Sequence, residues 1–346
     1  MLGVLYAALG AFTFALNNAT MRRGVVTGSV LQGMALTVPI GGLSFLLMTI
    51  AFGELDQLLI FPTAALTWLA AQGVVHFVFG RYCNYKSNQL MGVNLAAPVI
   101  QLQVPFAMVL AVVMLHETFT VLQAIGSALM LGGAFTTQAN AGNGKNRASA
   151  PGSTAATPLS GAAEPHPKPK PAFQPQVFSG YIFAFAAAVC YGSSPLLARE
   201  AFLRAPGVST VAGGCFAYAA ATLVFSLAFL APGSWQDIKD MKLENLQWFL
   251  AAAILVAISQ ALVYASLALA PLMVVTPILQ LSLVFRLFLS QLINRDHEVM
   301  NGAVLIGAFT AVLGSMLVSV PTDELATLLG LPLPAAEFLS HRLAGP

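Results

Sequence analysis

Pro98-Val99-Ile100-Gln101-Leu102-Gln103 and Pro277-Ile278-Leu279-Gln280-Leu281-Ser282 stand 179 positions apart and read as one segment written twice. Outward from this pair the likeness continues in the same order. Gly3-Val4-Leu5-Tyr6-Ala7 matches Gly180-Tyr181-Ile182-Phe183-Ala184, and Leu66-Thr67-Trp68 matches Leu246-Gln247-Trp248. His116-Glu117 matches His297-Glu298, and Gly126 and Gly133 match Gly307 and Gly314. Several matches kept in one order point to internal duplication, with a loop insertion absorbing the small slip in spacing.

The 346 residues are 58% hydrophobic and only 8% charged, against about 25% charged in an ordinary soluble domain, and the mean hydropathy is +0.80. That composition excludes a soluble enzyme. A net charge of +2 leaves no basic field for nucleic acid. Cys83, Cys190 and Cys215, an odd number set far apart in apolar sequence, suggest neither a disulfide framework nor a zinc site. A bilayer core needs about 20 apolar residues per helix, and such runs occupy roughly 2 to 20, 28 to 52, 62 to 84, 91 to 114, 119 to 138, 178 to 196, 209 to 231, 246 to 269, 271 to 293 and 299 to 320. Runs such as Ala251 to Ile258 are apolar on every side, which excludes the alternation of an outer-membrane barrel. No basic residue precedes the first run, so it is expected to be a mature helix and not a secretory signal.

Residues 139–176, rich in Pro, Ala, Gly and Ser, cannot build a core and read as a flexible linker. The expected organisation is a first five-helix repeat over 1–138, the linker over 139–176, a second five-helix repeat over 177–320 and a tail over 321–346. Five is odd, so the second repeat enters the membrane from the opposite side. Inverted repeats are the construction of many secondary transporters, with the substrate site near the midplane where the repeats meet. The predicted fold is thus an all-α integral membrane protein of ten transmembrane helices.

The proline-led fourth helix of each half, at Pro98 and Pro277, is followed by Glu117 and then Gly126, and by Glu298 and then Gly307. This pattern resembles the EamA repeat of the drug/metabolite transporter superfamily over nearly the whole chain. The resemblance implies a ten-helix carrier in the cell's inner or plasma membrane that moves a small metabolite by alternating access, without ATP. Small multidrug resistance relatives use a carboxylate in the first helix; here that helix carries Asn17 and Asn18 and no acid, which disfavours a cationic-drug antiporter.

Polar side chains inside lipid are site candidates by default. Asn94, Pro98, Gln101 and Pro105 follow one another at helical steps and share a face. Prolines at 98 and 105 free carbonyls one turn back, and Pro277 with Gln280 repeats the arrangement. Paired interrupted helices point to a transport site, although helix packing through a kink remains open for Gln101 and Gln280. Arg286, inside the ninth run, either faces a cavity and an anionic or zwitterionic substrate, snorkels to the interface, or sits in a structural pair; Ser282 and Ser290 share its face. His76, one turn from Gln72, is a packing residue or a proton relay. Asn17 and Asn18, with Ser193 and Ser194 in the sixth run, are further lining candidates, as are Tyr82, Asn84, Ser259, Gln260 and Tyr264. Glu117 and Glu298 read as helix caps, and the paired glycines as close-packing positions.

Most Lys and Arg, with Arg22, Arg23 and Arg81 counted as loop residues, fall on the side opposite the N-terminus. Charge bias therefore puts that side in the cytoplasm, whereas the family resemblance implies cytoplasmic termini. No nucleophile motif, metal cluster or phosphate loop appears, so no enzyme, cofactor, metal or ATP-driven pump is expected. The expected partners are a small-molecule substrate and the lipid bilayer. A non-transporting scaffold or sensor on the same fold is the alternative.

Overall fold

An apolar segment in lipid must satisfy its own backbone hydrogen bonds, which leaves it little choice but helix. The computed structural model describes residues 2–115, 119–148, 174–269, 272–295, 301–328 and 330–344. In chain order its helices are α1 (Leu2–Thr27), α2 (Val30–Ala51) and α3 (Thr63–Gly73), which runs through a π-helical stretch, Val74–Gly80, into α4 (Arg81–Met91). Then come α5 (Val93–Ile100), α6 (Gln103–Leu115), α7 (Val121–Ala148), α8 (Val177–Leu203) and α9 (Thr210–Ser226). The chain continues with α10 (Ser234–Lys239), α11 (Leu243–Leu269), α12 (Leu272–Ile293), α13 (Gly302–Ser319), α14 (Thr322–Leu328) and α15 (Leu333–Ser340). Among the described residues, 7 helices are long and apolar enough to cross a membrane, and Val121–Gly133, Leu281–Ile293 and Gly302–Val318 are shorter apolar helices.

Several expected boundaries move outward. Helix α1 continues to Thr27, and the third span continues to Met91, because polar residues there find partners inside the bundle. Arg22 is 1% exposed, and its Nη1 donates to the Gln89 carbonyl at 2.8 Å. Arg81 is likewise buried. Neither is a loop cation, so both leave the charge count used to orient the chain. The expected linker also begins as helix, since α7 runs past residue 138 to Ala148; extending a formed helix costs little compared with nucleating one. His116, Glu117, His297 and Glu298 lie outside the described residues.

The third and fourth spans part at Gly92, whose φ of 85° is open to glycine and costly for other residues. The fourth span then breaks between α5 and α6. Pro105 has no N–H for the Gln101 carbonyl, which accepts instead from Val104 N–H at 3.1 Å. Helix α1 packs on α11 and α12, while α8 packs on α3 and α4 and on α5 and α6. Helix α2 packs on α9 and α7 on α13. The α7–α13 contact uses the paired glycines: a Cβ at Gly126 would lie 2.6 Å from the Gly314 carbonyl oxygen, and one at Gly133 would lie closer still to the Gly307 carbonyl oxygen. The tail is not loose, for β2 (Arg342–Ala344) pairs antiparallel with β1 (Phe119–Thr120) beside the start of α7.

Both ends of the α2–α9 pair are tied by polar bonds between the chain's two halves. Ser29 caps α2 by accepting from Gln32 N–H, and its hydroxyl donates to Asp237 Oδ2 of α10 at 2.5 Å. Ser209 caps α9 by accepting from Val211 and Ala212 N–H, and its hydroxyl donates to Glu54 Oε2 at 2.5 Å.

Gly126→Ala is expected to force α7 from α13 and lower the unfolding free energy by about 1–3 kcal/mol. Gly132→Ala, with nothing within 4 Å of the new methyl, should leave the melting temperature of the detergent-purified protein unchanged.

Candidate functional site

Helices α1, α3–α4, α5–α6, α8, α11 and α12 enclose a cavity of about 280 Å³, near the lower end of small-molecule sites at about 300–1,000 Å³. Helix α1 contributes Gly10, Phe14 and Asn17, and the third span contributes His76, Arg81, Asn84 and Tyr85. Gln101 and Gln103 come from the break between α5 and α6, Tyr191 from α8, Ser259 and Gln260 from α11, and Ser282 and Arg286 from α12.

Arg286 is 6% exposed, with its guanidinium carbon 5.4 Å above the Phe14 ring centroid. Its Nε has no hydrogen-bond partner, and among the described residues no carboxylate pairs with it. One helical turn beyond Phe14, Asn17 is 3% exposed and its Oδ1 is also without a hydrogen-bond partner. A buried donor and a buried acceptor thus border one cavity, each costly to leave unmet.

Arg81 is differently held. Its Nη1 donates to the Thr37 carbonyl at 2.9 Å and its Nη2 to the Tyr218 hydroxyl at 3.0 Å. The guanidinium also lies 5.2 Å from the Phe77 ring and 5.6 Å from the Tyr218 ring, and these two rings stack at 3.7 Å. The cation is therefore spent largely on structure. His76 Nδ1 bonds the Ser194 hydroxyl at 2.9 Å, which also accepts from Gln72 Nε2 at 2.9 Å. On an α-helix, residues five apart point about 140° away from each other. The π-helical stretch, in which Arg81 N–H reaches the His76 carbonyl, brings both round to the cavity.

Of the residues expected from sequence, Asn17, His76, Asn84, Gln101, Ser259, Gln260 and Arg286 share this cavity. Gln101 Oε1 accepts from Gln103 Nε2 at 3.2 Å. Asn94 is buried in the first turn of α5 and is not among the lining residues. Pro98 is buried inside α5, away from the cavity wall. The side chains of Pro277, Gln280 and Tyr264 lie outside the described ones. Ser194 stands behind His76, and Tyr82 is 41% exposed on the outer surface. Sequence reasoning missed Arg81, Tyr85, Tyr191 and Gln103 as lining residues. Tyr191 had a signal: it stands at the same 177-residue offset from Phe14 that separates Gly3 from Gly180.

A family model described as the EamA-like transporter family matches residues 1–138 and 178–320. The chain belongs to this family. It is therefore a multi-pass integral membrane protein of the drug/metabolite transporter superfamily, with a family match interrupted between residues 138 and 178. A solved crystal structure of a protein 18% identical covers 93% of this chain and 98% of its own, with a TM-score of 0.49. No curated protein sequence matches the chain.

In this EamA-like chain the two cavity arginines should respond differently to neutralisation. Arg81→Gln breaks two bonds to a buried charge and is expected to lower stability by about 1.5–3 kcal/mol. Arg286→Gln, which removes a buried cation lacking such bonds, should leave the thermal unfolding midpoint equal or higher.

Proposed function

We propose that this protein is a secondary carrier for a small anionic or zwitterionic metabolite, such as a carboxylate or an amino acid, moved by alternating access between two inverted five-helix halves. The observation that carries this reading is Arg286, a buried cation on the cavity wall with an unpartnered Nε. Removing a charge from water is expensive unless it is paired. A substrate carboxylate supplies the missing partner, so affinity and selectivity for negative charge follow from one residue. Asn17 Oδ1 can accept from a substrate N–H or O–H, while Gln101 and His76 form the remaining polar wall.

The inverted arrangement draws support from the packing. Contacts of α1 with α11 and α12 have their counterparts in contacts of α8 with α3–α4 and α5–α6. Matched positions of the repeats also meet in the cavity: Phe14 with Tyr191, Ile100 with Leu279, and Gln103 with Ser282. Gln101, at the break between α5 and α6, is a wall residue in this scheme, and Gln280 with Pro277 is its counterpart in the other half. Asn94 is assigned to helix packing. The membrane is the cell's inner or plasma membrane, and neither ATP nor a cofactor is part of the scheme.

Purified protein screened by thermal shift against carboxylates, amino acids, neutral sugars and organic cations tests the reading. Ligands carrying a carboxylate are expected to stabilise it, by about 2.7 kcal/mol at 100-fold excess over Kd, and Arg286→Gln is expected to abolish both the shift and uptake into proteoliposomes. Undiminished transport by Arg286→Gln, or equal stabilisation by organic cations, overturns the proposal.

A further inference from the structure

We propose that Glu54 and Asp237 are the gating residues of the two membrane faces, each latching one half of the chain to the other. This inference rests on the alternating-access reading above. Asp237 lies between α9 and α11 of the second half and bonds Ser29, the cap of α2 in the first half. Glu54 lies between α2 and α3 of the first half and bonds Ser209, the cap of α9 in the second half. The two serines are 180 positions apart, so each occupies the same place in its own repeat. The arrangement is one device used twice.

The latches lie on opposite faces. Helix α2 has 22 residues, about 33 Å at 1.5 Å per residue, and this spans a hydrocarbon core of about 30 Å. Ser29 stands at its beginning and Glu54 just past its end. Each carboxylate docks at the start of a helix, where the macrodipole favours negative charge, and the hydroxyl it accepts from is already fixed by its capping bonds. Neighbours strengthen both contacts across the halves. Gln32 Nε2 donates to the Asp237 carbonyl at 2.6 Å and Thr27 Oγ1 to Asn245 Oδ1 at 2.6 Å. On the other face, Ser209 N–H donates to Gln57 Oε1 at 2.6 Å.

Both latches are engaged in this structure. Opening the cavity to one face by moving the halves apart there requires breaking that face's latch and leaves the opposite one intact. Neutralising one carboxylate therefore biases the protein toward opening on that side. Two plain helix caps would show no such sidedness.

The experiment places a reporter, Leu279→Cys, on the cavity wall in a background of Cys83→Ala, Cys190→Ala and Cys215→Ala. Its labelling by a membrane-impermeant thiol reagent is compared in right-side-out and inverted vesicles. Asp237→Asn is expected to raise the labelling rate from one face by roughly tenfold, the weight of one charge-assisted hydrogen bond, and Glu54→Gln to raise it from the opposite face. Enhancement from the same face in both variants, or in neither, overturns the latch assignment while leaving the Arg286 reading standing. Uptake by the double variant Glu54→Gln with Asp237→Asn that rises with concentration without saturating, as through an open pore, overturns alternating access itself, and the latches with it. Where a neutral variant fails to fold, Ser29→Cys paired with Asp237→Cys serves instead: oxidation should stop transport and reduction restore it. Transport that continues with this pair oxidised overturns the proposal.

Discussion

A guanidinium inside a membrane protein has to be surrounded, because the lipid offers it nothing. Arg81 meets that demand with a carbonyl of α2, a hydroxyl of α9 and two stacked rings. One side chain thereby fixes α2, the third span and α9 against each other and closes one wall of the cavity. The aromatic series extends this join. Phe45 and Tyr218 approach to 5.2 Å on one side, and His76 and Tyr191 to 4.7 Å on the other. Tyr218 fits because Gly41 has no side chain to occupy its place.

Against this tightly bonded corner, the opposite wall keeps buried polar groups without partners. Arg286 lies over Phe14 without the bonds that hold Arg81, and Asn17 leaves an acceptor unmet one turn away. Two arginines in one cavity thus have distinct physical states, one held by a carbonyl and a hydroxyl and one with its Nε unpartnered. The π-helical stretch makes the combination possible. Without its wider turn, His76 and Arg81 would diverge, and either the Ser194 bond or the Tyr218 bond would be lost.

Much of this was legible in the order of residues. Apolar runs announced the helices, and Arg286 and Gln101 stood out as expensive polar groups. Arg81 and Arg22 did not, because hydropathy lets a span end at its first cluster of polar residues. Their partners are far along the chain: Arg81 bonds Tyr218, and Arg22 bonds the Gln89 carbonyl. A shared helical face was inferred across a stretch that is not one helix, since Pro105 leaves the Gln101 carbonyl to a shorter-range bond.

The sequence by itself determined that the chain is helical and membrane-embedded, because backbone satisfaction in lipid and side-chain hydropathy are local properties. It also marked the fourth span as interrupted, since proline's missing donor is a covalent fact, but of its two prolines Pro98 sits inside α5 and only Pro105 bears on the break. Only the tertiary structure decided which polar residues meet. Whether Arg81 is a loop cation or a cavity wall, and whether Ser29 and Ser209 are plain caps or ties between halves, depends on groups more than a hundred residues distant. Those distances are set by packing, which no local pattern records.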